Sequence, residues 1–189
     1  MAIKRTIFGI ILCGILFVQN GAITSLAAGY DATSSVEFMT ISTASAVTTG
    51  QKNALSKAKT YLKMMAFSHD GLVDQLIFEG YTEEEAKYGA DNCGADWNAQ
   101  ALKKAKEYLK LMAFSAKGLQ EQLEFEGYTT EEAKYGVDNC GADWNEQAKE
   151  KAAEYLKLMS FSKSGLIDQL TFEGFSAEQA EYGVTANGY

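Results

Sequence analysis

The chain has 189 residues, with 17 basic against 25 acidic side chains, one histidine, three cysteines and no proline; its formal charge is −8 and its mean hydropathy −0.18. Phosphates repel so acidic a surface, which argues against nucleic acid and anionic lipid headgroups as partners. A single histidine and three scattered cysteines also leave little from which to build a zinc site or a His-dependent catalytic centre.

Lys4 and Arg5 precede an apolar run, Ile7–Val18, and the small residues Ser25, Ala27 and Ala28 follow. This is the pattern of a secretory signal over residues 1–28, with cleavage expected after Ala27 or Ala28. The run is shorter than the roughly 20 residues a membrane-spanning helix needs, so no transmembrane span is expected in the mature chain. Cys13 follows Leu12 inside the run, so no lipobox is read. Two of the 17 bases lie in this leader, leaving 15 against 25 acids in the remainder, a charge of −10. Residues 29–50, rich in Ser, Thr and Ala, read as a flexible spacer.

From there a block of 47 residues is written three times: Tyr61, Tyr108 and Tyr155 keep that spacing, as do Gly80, Gly127 and Gly174. Residues 54–98 and 101–145 agree at 35 of 45 positions without a gap. Such self-similarity marks tandem copies of one supersecondary unit and implies a repeated surface rather than one unique pocket. The units are expected at 51–96, 97–143 and 144–189. The third copy carries Asn187 where the others have cysteine and lacks the Asp-Trp pair that launches a following unit, so three units are expected.

Each unit reads as three helices, giving an all-α fold. In unit 1 the first is expected over Asn53–Phe67, where Ala54, Ala58, Tyr61, Leu62, Met65 and Ala66 form an apolar stripe. Ser68 offers an N-cap for a second helix ending at Glu79, and Gly80 supplies the left-handed turn after it. Thr82 with Glu85 forms a capping box for a third helix running to Asn92. Ser115 and Ser162 repeat the N-cap, and Thr129 with Glu132 and Ser176 with Gln179 repeat the box. Asp96 and Asp143 are expected to cap the first helix of the next unit. Five aromatic positions per unit (Tyr61, Phe67, Phe78, Tyr81 and Tyr88 in the first) account for 15 of 22 aromatics and are expected in the core. Trp97 and Trp144, at the junctions, are expected to pin one unit to the next.

Cys93 and Cys140 occupy equivalent places in successive units, which places them too far apart for easy bridging. Free, semi-buried thiols are favoured over a disulfide. Asp91-Asn92-Cys93-Gly94-Ala95-Asp96 lacks the ligand alternation of a calcium loop and reads as a C-cap followed by an N-cap.

The run Tyr-Leu-Lys-Met-Met-Ala-Phe-Ser at 61–68, with Gly71-Leu72, Gln75-Leu76, Glu79-Gly80-Tyr81, Glu85-Ala86 and Tyr88, resembles the Ltp-like helix-turn-helix region, named for a phage-encoded host cell surface-exposed lipoprotein. The likeness covers all three units, about residues 50–186. It implies small helical units displayed outside the membrane, as in Gram-positive bacteria or their prophages. In phage-encoded members it implies superinfection exclusion, in which incoming phage DNA is blocked through contact with the phage tape-measure protein. Two departures stand out: the missing lipobox and the presence of three units.

No DNA-reading role is expected despite the motif's name, because the third helix opens with Glu83, Glu84 and Glu85, which phosphates repel. No nucleophile–base pairing recurs, so no enzyme activity, catalytic residue, metal or cofactor is expected. The second helices differ among the copies along one stripe: His69, Val73 and Ile77; Ala116, Gln120 and Glu124; Lys163, Ile167 and Thr171. Spaced at i, i+4 and i+8, these nine positions are the candidate partner-binding stripe, expected outside the core and suited to a helix–helix contact with a protein. The expected function is an exported binding protein at the cell surface or in the medium, acting in superinfection exclusion; the alternative is a host surface protein for adhesion or envelope contacts with no phage role.

Overall fold

A computed structural model describes residues 46–189, so the leader and most of the spacer expected from the sequence lie outside the described residues. Among the described residues there are nine α-helices and no strand. Unit 1 holds α1 (Thr49–Met64), α2 (His69–Phe78) and α3 (Glu83–Asn92); unit 2 holds α4 (Trp97–Leu111), α5 (Ala116–Phe125) and α6 (Thr130–Asn139); unit 3 holds α7 (Trp144–Leu158), α8 (Lys163–Phe172) and α9 (Ala177–Ala186). No helix of the described residues is long and apolar enough to cross a membrane.

The caps fall where the residue types put them. Ser68, Ser115 and Ser162 each accept an N–H from the glycine three residues on. Thr82, Thr129 and Ser176 form reciprocal boxes with Glu85, Glu132 and Gln179. Asp96 and Asp143 cap α4 and α7. Gly80, Gly127 and Gly174 turn the chain at φ +95°, +88° and +93°, a region L-residues avoid.

The first helix departs from expectation at both ends. It starts at Thr49, because Thr48 and Gln51 form a further capping box, so the last two residues of the expected spacer are helical. It ends at Met64: Met65 turns extended (φ −146°, ψ 167°), its N–H held by the Tyr61 carbonyl. The apolar spacing continues through Met65 and Ala66, but these residues form a link that swings the chain toward Ser68.

Within each unit the first and third helices pack backbone to backbone. A Cβ added to Gly89 would stand 2.9 Å from the Ala54 carbonyl carbon, and one added to Gly136 or Gly183 would stand 2.9 or 2.7 Å from that of Ala101 or Ala148. Ala54, Ala58 and Ala86 are fully buried at this seam. The second helix closes the unit with two leucines, Leu72 and Leu76 in unit 1, each fully buried. Each such leucine contributes about 1.5–3 kcal/mol relative to exposure. Leu119 and Leu123, then Leu166 and Leu170, repeat the arrangement.

The units are tied in series. Trp97, the first residue of α4, packs against the core of unit 1, and Trp144 packs against that of unit 2, as expected. The capping serines make the second tie. Ser68 Oγ donates to the Glu126 carbonyl of unit 2 at 2.5 Å, and Ser115 Oγ donates to the Glu173 carbonyl of unit 3 at 2.6 Å. Both hydroxyls are thus used twice, accepting from their own helix and donating to the next unit. The two cysteines among the described residues are free; the Cys93 and Cys140 thiols donate to the carbonyls of Ala90 and Val137, each at 3.0 Å.

Candidate protein-binding surface

The nine stripe positions do not share one solvent face. Val73 is only 7% exposed and belongs to the core of unit 1. Ala116 and Ile167 pack against the cores of units 2 and 3. The stripe lies where the core face of the second helix meets the third helix, and its early members turn toward that neighbour. His69 Nε2 lies 2.7 Å from Asp91 on α3, Nδ1 lies 3.2 Å from Asp70, and the ring meets Trp97 edge-on at 5.3 Å. Burial disfavours the imidazolium, but the hydrogen bonds to Asp91 and Asp70 together outweigh it and raise its pKa above the ordinary value. Lys163, at the same place in unit 3, pairs with Glu181 of α9 at 2.7 Å. Gln120 is half-buried and donates to Glu124, also half-buried, at 2.9 Å; Thr171 donates to the Ile167 carbonyl at 2.8 Å. Of the apolar members only Ile77 is exposed.

The exposed apolar surface lies elsewhere and repeats in every unit. Phe78, Phe125 and Phe172, expected in the core, are 66%, 60% and 85% exposed. The pairs Met64-Met65, Leu111-Met112 and Leu158-Met159, where each first helix gives way to the link, are exposed as well. A signal for the phenylalanines was present: two residues beyond Leu76 is about 200° around the helix, the side opposite the core. Their constancy among the copies is therefore not explained by core packing.

At the second junction these positions frame two adjoining recesses that share Ala113. One is bounded by Phe172, Lys117 and Lys151; the other by Leu111, Met112 and Lys157. A polar network repeated in units 2 and 3 ties the first helix to the turn after the second. Gln122 donates to the Tyr108 hydroxyl at 3.1 Å, Tyr108 donates to Glu126, and Lys104 lies 3.4 Å from the same carboxylate. Unit 3 repeats it with Gln169, Tyr155, Glu173 and Lys151. Burial pushes the Glu126 and Glu173 carboxyls above the usual carboxylate range, against the pull of the neighbouring lysines. Among the described residues no three His, Cys, Asp or Glu side chains come together as metal ligands.

Fold and surface together define an all-α tandem-repeat protein that presents the same apolar side chains once per unit. The chain belongs to the Ltp family, described as host cell surface-exposed lipoprotein: the family profile matches three times, over residues 49–93, 96–140 and 143–186. A solved structure of Ltp, a superinfection exclusion protein from the Streptococcus thermophilus temperate phage TP-J34, is 38% identical over 50% of this chain and 98% of that chain, with a TM-score of 0.48. A comparison with curated proteins finds no match.

Proposed function

We propose that this chain is a superinfection-exclusion protein that works by binding, not catalysis. Displayed outside the membrane after removal of residues 1–28, it contacts a protein of the incoming phage, the tape-measure protein, and so halts DNA delivery. The observation that carries this reading is the threefold match to a family of surface-exposed proteins, spanning nearly all the described residues. The repeated Phe and Met/Leu positions support a protein partner: large apolar side chains at fixed intervals suit an elongated apolar or amphipathic segment.

Expression in a phage-sensitive host tests the proposal. Plaque counts should fall while adsorption stays normal and phage DNA fails to reach the cytoplasm. Replacing Phe125 and Phe172 together by serine should restore plaques and leave helical circular dichroism unchanged. Undiminished plaque counts across several phages, with the protein present at the surface, sink the exclusion role. Exclusion that survives the double substitution removes these phenylalanines from it.

A further inference from the structure

Both junctions between units join two unlike faces, and among the described residues each face occurs once more without a neighbouring unit, the donor face on unit 3 and the acceptor face on unit 1. The donor face carries the capping serine and the glycine three residues later. Ser68 and Ser115 are each 2% exposed because the next unit covers them, whereas Ser162 is exposed. A Cβ on Gly71 would meet the Glu126 carbonyl at 3.4 Å and one on Gly118 the Glu173 carbonyl at 3.5 Å; on Gly165 it would meet only residues of its own unit. The acceptor face carries the carbonyl and glycine of the turn after the second helix. Gly127 and Gly174 lie against the preceding unit, with Ser68 and Ser115 Oγ at 3.1 and 3.0 Å from the built Cβ, whereas among the described residues Gly80 has nothing within 4 Å. Glu79 and Gly80 are exposed, while Glu126, Gly127, Glu173 and Gly174 are half-buried.

We infer that the open donor face at Ser162 receives the open acceptor face at Glu79 and Gly80 of a second copy of this chain, repeating the intrachain junction between molecules. Ser162 already accepts the Gly165 N–H at 3.1 Å, and the hydroxyl proton that Ser68 and Ser115 spend on the next unit finds only Ser164 Oγ, at 3.4 Å. Lys57, which in its own unit pairs with Glu79 at 2.8 Å and lies over the Tyr61 ring, holds the place from which Lys151 reaches over Phe114 at the second junction, and Phe161 is the corresponding ring on the open donor face. Two differences make the contact between molecules weaker than that within one. Ser160 replaces the buried Ala66 and Ala113, and the Tyr189 hydroxyl donates to the Phe161 carbonyl at 2.7 Å, resting on the edge of the donor face. Because the two faces differ, the contact is head-to-tail and adds copies in line without closing a symmetric pair.

Sedimentation of the protein purified from expressing cells tests this. Average mass should rise with concentration past the dimer. Ser162→Asp keeps an N-cap acceptor but has no hydroxyl to donate and sets a charge against the carbonyl, so association should weaken about tenfold or more, the fold-change of one lost hydrogen bond. Ser162→Thr should retain association, and Tyr189→Ala should tighten it. Unchanged circular dichroism of each variant establishes that it is folded. Monomer mass at every concentration for both the parent and Tyr189→Ala overturns the inference, as does Ser162→Asp associating as tightly as the parent.

Discussion

At Gly89, Gly136 and Gly183 a single methyl group decides whether two helices can meet, since the neighbouring backbone stands 2.7–2.9 Å from where it would sit. Gly136→Ala should therefore destabilise the protein by about 1–3 kcal/mol, the range for overpacking a tight contact, despite the better helix propensity of alanine. Urea titration checks this, and an unchanged or raised midpoint would contradict the close approach. A second residue-scale effect belongs to His69. Its pKa is raised in the folded chain, so its contribution to stability is complete below the ordinary value of about 6.5 and is lost as pH rises through the higher folded value. Asp70 and Asp91 are its charged partners, and Lys87 acts on the same two carboxylates. Melting profiles from about pH 5 to about pH 9 should show the parent losing its advantage over His69→Ala across that window; parallel profiles would remove the linkage. Lys163 and Ala116 at the equivalent places confine this dependence to unit 1.

At the scale of the helix, three capping serines each accept the N–H of the glycine three residues on and differ in whether a following unit lies beyond them. Ser162→Ala removes a cap and should cost about 1 kcal/mol. Ser115→Ala removes a cap and also strips the Glu173 carbonyl of its donor, adding about 1–3 kcal/mol. Equal losses in the two variants, measured by denaturant unfolding, would mean the junction bond contributes nothing. Helix starts other than that of α1 were legible in the sequence because capping is local: Ser68, Thr82 and Asp96 each announce a helix within three residues, whereas the Thr48–Gln51 box lay inside a stretch read as spacer. The end of the first helix was not, because Met65 and Ala66 continue the apolar spacing while the chain has already turned extended; Ala66 is buried from a link rather than from a helix. The candidate surface was misread for a related reason. Variation at Val73 suggested exposure and constancy at Phe78 suggested burial, yet Val73 is core and Phe78 is outside, since tertiary packing against α3 sets which boundary residues are covered.

For the molecule as a whole, three separate cores mean that cooperativity depends on the junctions. Trp144→Ala removes the ring that unit 3 inserts against the core of unit 2. The expected result is denaturant unfolding that broadens or divides into two transitions. A single, sharp transition moved to lower denaturant would instead place the coupling in the serine–carbonyl bond.

That bond has a bearing on how such a protein changes over generations. Its donor and acceptor lie at equivalent positions 58 residues apart at both junctions, and its acceptor is a main-chain oxygen that no substitution of the glutamate side chain removes. A gene encoding near-identical 47-residue blocks is prone to unequal recombination, and a block gained or lost in the middle leaves every remaining junction correctly matched. The number of blocks can therefore vary by simple copying errors without any new interface having to be invented.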